Sequence, residues 1–370
     1  MRILVAPDRF AGTLSAVEAA DAIVDGWRRQ APGDELSTLP MSGGGPGFVH
    51  ALAAHLDGEL LAMSVSGPYE VRVPATVLMH RGTAYVEAAQ ACGLHLTPAA
   101  QRDPECATSF GVGELIGAAI DADAERVVVG LGGCAVNDGG AGLLNALGAD
   151  PGISSGVDLR AGTAGLAALS GGAAIDLTGA RRRVGDVALV AASDVEIPLL
   201  GLRGATNVFG GRLGIADERK PAVDGLLERL AKATDPAVAG RPGAGAAGGL
   251  GFALQLLGGS RRPGVDLVAE TVGLAECCAA VDLVLTGEGA FDFSSRAGTV
   301  VYGVAQVAGP AVRPCVVLAG RVDVGSREMR ALGVEQAYSL TELIGSAAAL
   351  ADPAGSLASL AARVARQWSH

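Results

Sequence analysis

The chain has few aromatic side chains and almost no lysine. Phe, Trp and Tyr make up 4% of the 370 residues, and Lys220 and Lys232 are the only lysines among 28 basic residues. Because large rings are scarce, the hydrophobic cores must be built from Ala, Val and Leu, and alanine-rich stretches such as 16–24 are typical of helices packed closely on sheets. No lysine lies in a glycine-rich segment.

A surplus of positive charge is also absent. The net charge is −11 and the pI is near 5. Nucleic acids are bound through basic patches, so this charge argues against a nucleic-acid partner. The densest basic run, 181–183, is short and flanked by Asp176 and Asp186, which predicts a solvated loop.

The six cysteines show no C-x-x-C pair, and none is combined with histidine at zinc-ligand spacing. We therefore predict reduced, mostly buried thiols and no metal site. Cys134 alone has a functional alternative, as a thiol near a helix start, where its pKa could fall. The cysteines are Cys92, Cys106, Cys134, Cys277, Cys278 and Cys315.

Targeting and membrane segments are not expected. The first residues, MRILVAPD, have the pattern of a strand and not the basic-then-apolar layout of a signal peptide. No apolar run approaches 18 residues. We therefore expect a cytoplasmic protein with a small-molecule substrate and no membrane partner.

The stretch 127–142, VVVGLGGCAVNDGGAG, joins a buried type of strand to a glycine-rich turn and a helix. Gly132 and Gly133 allow a sharp turn and a close approach of backbone amides to a ligand. Asn137 and Asp138 are good N-cap residues for the helix that follows. Such a junction favours anion binding, although the same residues also fit a tight turn without a ligand.

The order strand, glycine turn, helix recurs along the chain, at 40–48 and again at 242–251. Between them, 59–87 has closely spaced strands of more antiparallel character. This alternation predicts an α/β fold with largely parallel sheets, in which ligands bind beyond the carboxyl ends of strands. The polar residues expected at those ends are Asp8, Arg9, Asn137, Asp138, Asp194, Glu288 and Asp292.

Seven segments together resemble the bacterial two-domain glycerate kinase family: VAPDRFAGTLSA, LPMSGGGPGF, GLGGCAVNDGGAGLL, SDVEIPLLG, GATNVFG, PGAGAAGGLGFAL and TGEGAFD. The resemblance implies phosphoryl transfer from ATP to glycerate. It also implies a Rossmann-like domain with a mainly parallel sheet, a second, mixed α/β domain, and an active-site cleft between them. We expect the first domain at 1–65 plus 282–370 and the second at 66–281.

Several positions depart from the family pattern. Lysine is usual at the positions of Ala11, Leu213 and Thr299, and arginine at Ala290. The family's aspartate is Gly43 here, and its glutamine is Ser294. Phosphoryl transfer requires positive charge on the oxygens of the transition state, and losing one such contact commonly costs roughly 3 kcal/mol. Three arginines next to neutral positions could compensate: Arg9, Arg212 and Arg296.

The remaining motif positions are intact, and they give the candidate site. Five carboxylates are candidate catalytic groups, although Asp138 and Asp292 could equally cap helices or hold loops. The catalytic candidates are Asp8, Asp138, Asp194, Glu288 and Asp292. The candidate binding residues are Arg9, Gly44, Gly45, Gly132, Gly133, Asn137, Gly248, Gly249, Ser294, Ser295 and Arg296.

Three functions are compatible with these residues. The first is an enzyme on the glycerate kinase scaffold that has lost phosphoryl transfer. It would perform acid/base chemistry on a small hydroxylated or carboxylated molecule, because neighbouring buried carboxylates tend to split their pKa values. The second is an ATP-dependent glycerate kinase with rearranged cations. The third is a non-catalytic ligand-binding protein. We expect no cofactor, and ATP with Mg²⁺ only in the second case.

Overall fold

The computed structural model describes residues 1–152, 156–169, 173–292 and 298–369. The chain forms two compact units. Unit 1 comprises Met1–Gly43, His50–Leu56 and Gly264–His370, and unit 2 comprises Gly44–Val49 and Asp57–Pro263. The domain bounds expected from the sequence stay a prediction, and the compact units differ from them at 44–49, 57–65 and 264–281.

Strands and helices alternate along most of the described chain. The strands are β1 (Arg2–Val5), β2 (Glu35–Thr38), β3 (Glu59–Ser66), β4 (Arg72–His80), β5 (Thr83–Glu87), β6 (Arg126–Gly130), β7 (Ala188–Ala192), β8 (Ser260–Arg262), β9 (Leu283–Phe291), β10 (Cys315–Val322) and β11 (Gln336–Ser339). The helices are α1 (Ala16–Gln30), α2 (Phe48–Ala53), α3 (Ala88–Cys92), α4 (Phe110–Asp121), α5 (Ala141–Ala146), α6 (Thr178–Val184), α7 (Ala205–Leu213), α8 (Lys220–Ala233), α9 (Pro236–Ala239), α10 (Leu250–Leu256), α11 (Gly264–Thr271), α12 (Leu274–Ala279), α13 (Val300–Ala308), α14 (Ser326–Ala331), α15 (Leu340–Ile344), α16 (Ser346–Ala351) and α17 (Pro353–Trp368).

Unit 1 contains a five-stranded sheet in the order β11-β10-β9-β1-β2, and every pair in it is parallel. Parallel strands are buried on both faces, which explains the continuous apolar runs of β1, β9 and β10. Trp27 on α1 is fully buried, and its indole N–H donates to Asp34 at 2.8 Å. The main core contains Ile3, Val5, Ile23, Trp27, Leu285, Val316, Leu318, Leu357 and Leu360.

Unit 2 contains a mixed six-stranded sheet in the order β3-β4-β5-β6-β7-β8. The β3-β4-β5 part is antiparallel, as expected for 59–87, and β5 through β8 pair in parallel. The carboxyl ends of β5, β6 and β7 therefore lie together at one edge of the sheet. The predicted α/β fold class is confirmed in both units.

The first helix begins as its sequence predicts. The Ser15 hydroxyl accepts from the amide of Glu18 at 3.2 Å, and the Glu18 carboxylate accepts from the amide of Ser15 at 2.8 Å. This reciprocal pair is a capping box, which satisfies two amides that a helix start otherwise leaves unpaired. Thr13, two residues before Ser15, donates to the carbonyl oxygen of Phe10 and does not cap the helix.

Three local expectations are wrong. Helix α5 is not capped by Asn137 or Asp138, because Gly140, in the left-handed conformation at φ 73°, occupies the N-cap position. Residues 181–183 are not a loop but the last turns of α6, where Arg183 pairs with Asp121 at 2.6 Å. Strand β9 continues past its predicted end, so Glu288 lies within the strand and not after it.

The cysteines have no disulfide partners, and four of the six are buried, as expected. Cys134 lies on the glycine turn and not in the first turn of α5. Within the four described ranges, no helix combines the length and the apolar character that crossing a bilayer requires.

Candidate functional site

The glycine turn after β6 is held by backbone hydrogen bonds on both sides. The amide of Leu131 donates to Ala192 at the end of β7, and the carbonyl oxygen of Gly133 accepts from Leu94 at 2.9 Å. A Cβ on Gly132 would lie 2.8 Å from the Cα of Gly45, so only glycine allows the two glycine segments to touch. The turn at the carboxyl end of β6 is therefore packed against the loop that contains Gly44 and Gly45.

A buried carboxylate holds that loop. Glu87 ends β5, is almost inaccessible to solvent, and accepts from the amides of Gly47 at 3.0 Å and Val49 at 3.3 Å. Glu87 was not among the residues predicted from the sequence, although its place at the end of a strand was the available signal. Its role here is to fix the glycine loop beside the turn after β6.

The third glycine turn, at 246–249, contacts residues 136–139, at the end of the segment that follows β6. Gly248 has φ 67°, and a Cβ on it would overlap the carbonyl oxygen of Val136. The amide of Gly139 donates to the Gly248 carbonyl oxygen at 2.9 Å, and a Cβ on Gly249 would meet the backbone of Gly139. The close approach of these backbones explains why glycine is needed at 248 and 249.

These turns and α7 enclose a cavity of about 230 Å³ within unit 2. Arg212, in the last turn of α7, supplies a cationic side chain to its lining. Within the described residues, neither the amides of Gly132, Gly133 and Cys134 nor the Arg212 guanidinium has a protein hydrogen-bond partner. The lining residues are Leu94, Leu131, Gly132, Gly133, Cys134, Val136, Val195, Phe209, Arg212, Leu213, Ala247 and Gly248.

The lining of this cavity is mostly apolar, but it contains two kinds of donor for an anion. Backbone amides at the carboxyl end of a parallel strand and a guanidinium group are both donors to phosphate or carboxylate oxygens. Gly132, Gly133 and Gly248 were predicted from the sequence as binding residues, and Arg212 as a compensating cation. Phe209 was not predicted, because the segment 205–213 carries no cap or strong periodicity that indicates α7.

Asn137 and Asp138 directly follow Val136, a residue of the cavity lining, and both are fully buried. The Nδ2 group of Asn137 donates to the Thr206 hydroxyl at 2.9 Å, so it ties the turn to the first residues of α7. Its Oδ1 atom has no partner in the described structure. A buried acceptor without a donor costs about 1–3 kcal/mol, so this oxygen is available to a donor group from a ligand or water.

Asp138 is saturated by hydrogen bonds. One oxygen accepts from the amide of Gly140 at 2.9 Å, and the other accepts from the amide and hydroxyl of Ser109 and from the amide of Gly142. Burial raises the pKa of this carboxyl, while the donors from Ser109, Gly142 and Gly140 lower it. Of the two roles considered for Asp138, catalysis and holding a loop, this arrangement favours holding the loop.

Asp194 follows β7 directly and is half-buried. Its neighbour Val195 lines the cavity, and the amide of Val195 donates to the Ser193 hydroxyl at 3.2 Å. The structure therefore brings Asp194 to the same sheet edge as the turn after β6. It is the predicted carboxylate closest in sequence to the cavity lining of unit 2.

Unit 1 carries a second group of predicted residues, at the carboxyl ends of β1 and β9. The amide of Asp8 donates to the Gly287 carbonyl oxygen at 2.8 Å, so the loop after β1 is attached to β9. The half-buried Asp8 carboxylate accepts from the amide of Arg9 at 2.7 Å. Burial raises the pKa of Asp8 from 3.8 to about 6, against the lowering effects of the Arg9 amide and charge.

Two further carboxylates lie along β9. Glu288 is half-buried within the strand, and Asp292 follows its last residue. Arg321 on the neighbouring β10 lies 3.7 Å from the Asp292 carboxylate and 2.6 Å from that of Asp323. Arg321 was not among the residues selected from the sequence.

The candidates thus fall into two groups. Unit 2 holds Gly44, Gly45, Gly132, Gly133, Asn137, Asp138, Asp194, Gly248 and Gly249, and unit 1 holds Asp8, Arg9, Glu288 and Asp292. Ser294, Ser295 and Arg296 lie outside the described residues. Within the described residues, no group of three His, Cys, Asp or Glu side chains could hold a metal ion.

Parallel α/β sheets with a glycine-rich turn and carboxylates at their carboxyl edges are typical of proteins that bind small molecules at that edge. Comparison with known proteins identifies the family within this class. The family model described as "Glycerate kinase family" matches residues 3–369. The chain belongs to the glycerate kinase family.

Individual relatives agree along almost the whole chain. It is 39% identical to a glycerate kinase of Bacillus subtilis, covering 92% of this chain and 90% of the relative. It is 37% identical to the glycerate 2-kinase of Escherichia coli, covering 94% and 92%. A crystal structure assigned as glycerate kinase 2 from Salmonella typhimurium matches with a TM-score of 0.81 at 35% identity, covering 99% and 98%.

Proposed function

We propose that the protein is a kinase that transfers the terminal phosphoryl group of ATP to a hydroxyl group of glycerate. The observation that carries this proposal is the cavity in unit 2, whose lining contains Arg212 and the turn after β6, where the amides of residues 132–134 have no hydrogen-bond partner among the described residues. Family membership supports the substrates, and the name of the Escherichia coli relative supports the 2-hydroxyl as the acceptor.

Arg212 supplies positive charge near one of the positions where the family has a cation and this chain has a neutral residue. Position 213, where the family has lysine, is Leu213, yet the adjacent Arg212 lines the cavity. A guanidinium group is a strong, geometrically specific partner for phosphate oxygens. The neutral residue at 213 therefore does not leave the cavity without positive charge.

In the proposed reaction, a glycerate hydroxyl oxygen forms a bond to the terminal phosphorus of ATP. The bond between that phosphorus and the bridging oxygen breaks, and ADP leaves with the electron pair. The hydroxyl proton passes to a carboxylate, for which we propose Asp8. A carboxyl with a pKa near 6 is ionised at neutral pH and is a better proton acceptor than one with an ordinary pKa.

Magnesium enters the reaction as part of the ATP complex. Mg²⁺ in such enzymes is held by substrate phosphates, water and one or two carboxylates, so no dedicated protein cage is needed. The chemistry that the ion supplies is neutralisation of charge on the phosphates. Glu288 within β9 and Asp292 directly after it would be the carboxylates of unit 1 open to such a complex, and Asp8 keeps the proposed role of proton acceptor.

The hypothesis that phosphoryl transfer was lost in favour of acid/base chemistry has no support from the relatives, and neither does a non-catalytic role. Calorimetry with Mg-ATP separates the proposals, because a kinase must bind it at millimolar concentration or below. Binding of Mg-ATP together with glycerate-dependent release of ADP is expected. Absence of Mg-ATP binding would exclude the kinase.

A further inference from the structure

Ala290 and Arg321 are partners across two adjacent parallel strands. The pairing of β9 with β10 places Arg321 opposite Ala290 and Ala319 opposite Glu288. Adjacent strands lie about 4.8 Å apart, and paired residues project from the same face. An arginine side chain on β10 can therefore reach the space that a side chain at position 290 on β9 would occupy.

We propose that Arg321 supplies from β10 the positive charge that the glycerate kinase pattern places at position 290 on β9. This inference rests on the proposed function. Ala290 leaves room for the exchange, because its side chain is a single methyl group and is exposed. Arg321 is also exposed, with 57% of its side chain accessible, so its guanidinium group can meet a ligand.

The surroundings of Arg321 fit a binding role better than a structural one. Its partners are Asp292 at 3.7 Å and Asp323 at 2.6 Å, both solvent-accessible. Exposed ion pairs of this kind contribute at most about 1 kcal/mol to stability. Strand β10 is instead fixed by its buried first half, from Cys315 to Ala319. Arg321 is therefore not needed for the fold.

The position along the strands also favours a ligand. Side chains alternate between the faces of a strand, so Glu288 and Ala290 share one face while Phe291 is buried on the other. By the pairing, Arg321 lies on the face of Glu288. Unit 1 thus has a cation and a candidate catalytic carboxylate on the same face, at the carboxyl edge where α/β sheets bind ligands.

The ligand of Arg321 is an anionic oxygen of one of the two substrates, a phosphate of ATP or the carboxylate of glycerate. Both accept two parallel hydrogen bonds from a guanidinium group, which a lysine could not provide in the same geometry. Arg321 is an anion-binding residue in this account. It moves no proton, and its effect on rate comes from holding charge.

The test compares Arg321→Ala with Arg327→Ala, which removes an exposed arginine from α14, and with the relocated pair Ala290→Arg/Arg321→Ala. We expect Arg321→Ala to lower kcat/KM about 100-fold, Arg327→Ala to stay within about twofold, and the relocated pair to recover at least about tenfold. Guanidinium ion in solution should restore part of the activity of Arg321→Ala only. Melting temperatures show whether each variant is folded.

Calorimetry with Mg-ATP and with glycerate provides a readout that does not require turnover. The affinity for one of the two should fall at least about tenfold in Arg321→Ala and not in Arg327→Ala. Turnover by the wild-type protein tests the proposed function. The ratio of kcat/KM in the variant to that in the wild type tests the role of Arg321. Unchanged affinities and activity in a folded Arg321→Ala protein would overturn the inference. So would a loss that neither relocation nor guanidinium reverses.

Discussion

The hydroxyl group of Ser109 joins Asp138 to the start of α5. It donates to the Asp138 carboxylate at 2.7 Å and accepts from the amide of Leu143 at 3.0 Å. Both side chains are fully buried. Asp138 also accepts from the amides of Gly140 and Gly142. These two side chains therefore bind backbone amides that the start of a helix otherwise leaves unpaired, and Asp138 does so from two residues before the N-cap.

Ser109→Ala therefore tests whether Asp138 holds the turn. The change leaves the Leu143 amide without its acceptor and removes one donor from a buried carboxylate, so unfolding should become easier by about 1–3 kcal/mol. Denaturant titration measures the change, and Ser346→Ala, an exposed serine on α16, should stay within about 0.5 kcal/mol. If the folded variant loses catalysis without losing stability, Asp138 belongs to the chemistry instead.

Arg212→Leu tests the anion cavity. Losing the guanidinium group should lower kcat/KM for Mg-ATP by about 100-fold or more, while stability stays nearly unchanged because the side chain is exposed. Arg203→Leu is the matched control, since Arg203 is exposed just before α7 and does not line the cavity. Equal steady-state kinetics for the two variants would remove Arg212 from the site.

Asp8 predicts a pH dependence with a defined sign. If its ionised carboxylate accepts the proton, kcat/KM should fall as pH decreases through about 6. The raised pKa has the opposite effect on folding: its contribution to stability is complete below pH 3.8 and is lost as pH rises through about 6. Catalysis and stability therefore make opposing demands on this residue.

Asp8→Asn separates the two effects. The variant should lose most activity, yet at pH 7 to 8 it should be more stable than the wild type by roughly 1–3 kcal/mol, because it removes a buried charge. The difference should shrink toward pH 4, where the wild-type carboxyl is protonated. A variant that is less stable at neutral pH would contradict the raised pKa.

Two glycines give predictions of opposite sign for the same substitution. Gly248→Ala places a methyl group on the Val136 carbonyl oxygen at a positive φ, so it should destabilise the protein by more than about 2 kcal/mol and distort the cavity. Gly225 lies inside α8 with open space around its Cα, and Gly225→Ala should stabilise by about 0.5–1 kcal/mol. Thermal melting of both variants distinguishes these outcomes.

The sequence predicted those features that depend on neighbours along the chain. Apolar runs and glycine turns predicted the buried strands and the α/β class, and the spacing of Ser15 and Glu18 predicted a capping box that the structure contains. The antiparallel segment at 59–87 was also predicted from its turn signals. These properties are local, so periodicity and turn chemistry are sufficient to find them.

Features that depend on tertiary pairing could not be predicted. The donors to Asp138 come partly from Ser109, far away in the chain, and no local pattern relates the two residues. Arg321 became visible only through the pairing of β10 with β9, because its partner Ala290 carries no chemical signal itself. Glu288 was expected beyond the end of a strand, since the glycines around it mask the continuation of β9.

The most direct test of the account is turnover by the wild-type protein. Incubation with Mg-ATP and glycerate, followed by phosphorus NMR of the products, reports both the reaction and the position of the new phosphate. The account predicts equal amounts of ADP and 2-phosphoglycerate, with no ADP formed when glycerate is omitted. Unchanged ATP and glycerate with folded protein would contradict phosphoryl transfer as the function of this chain.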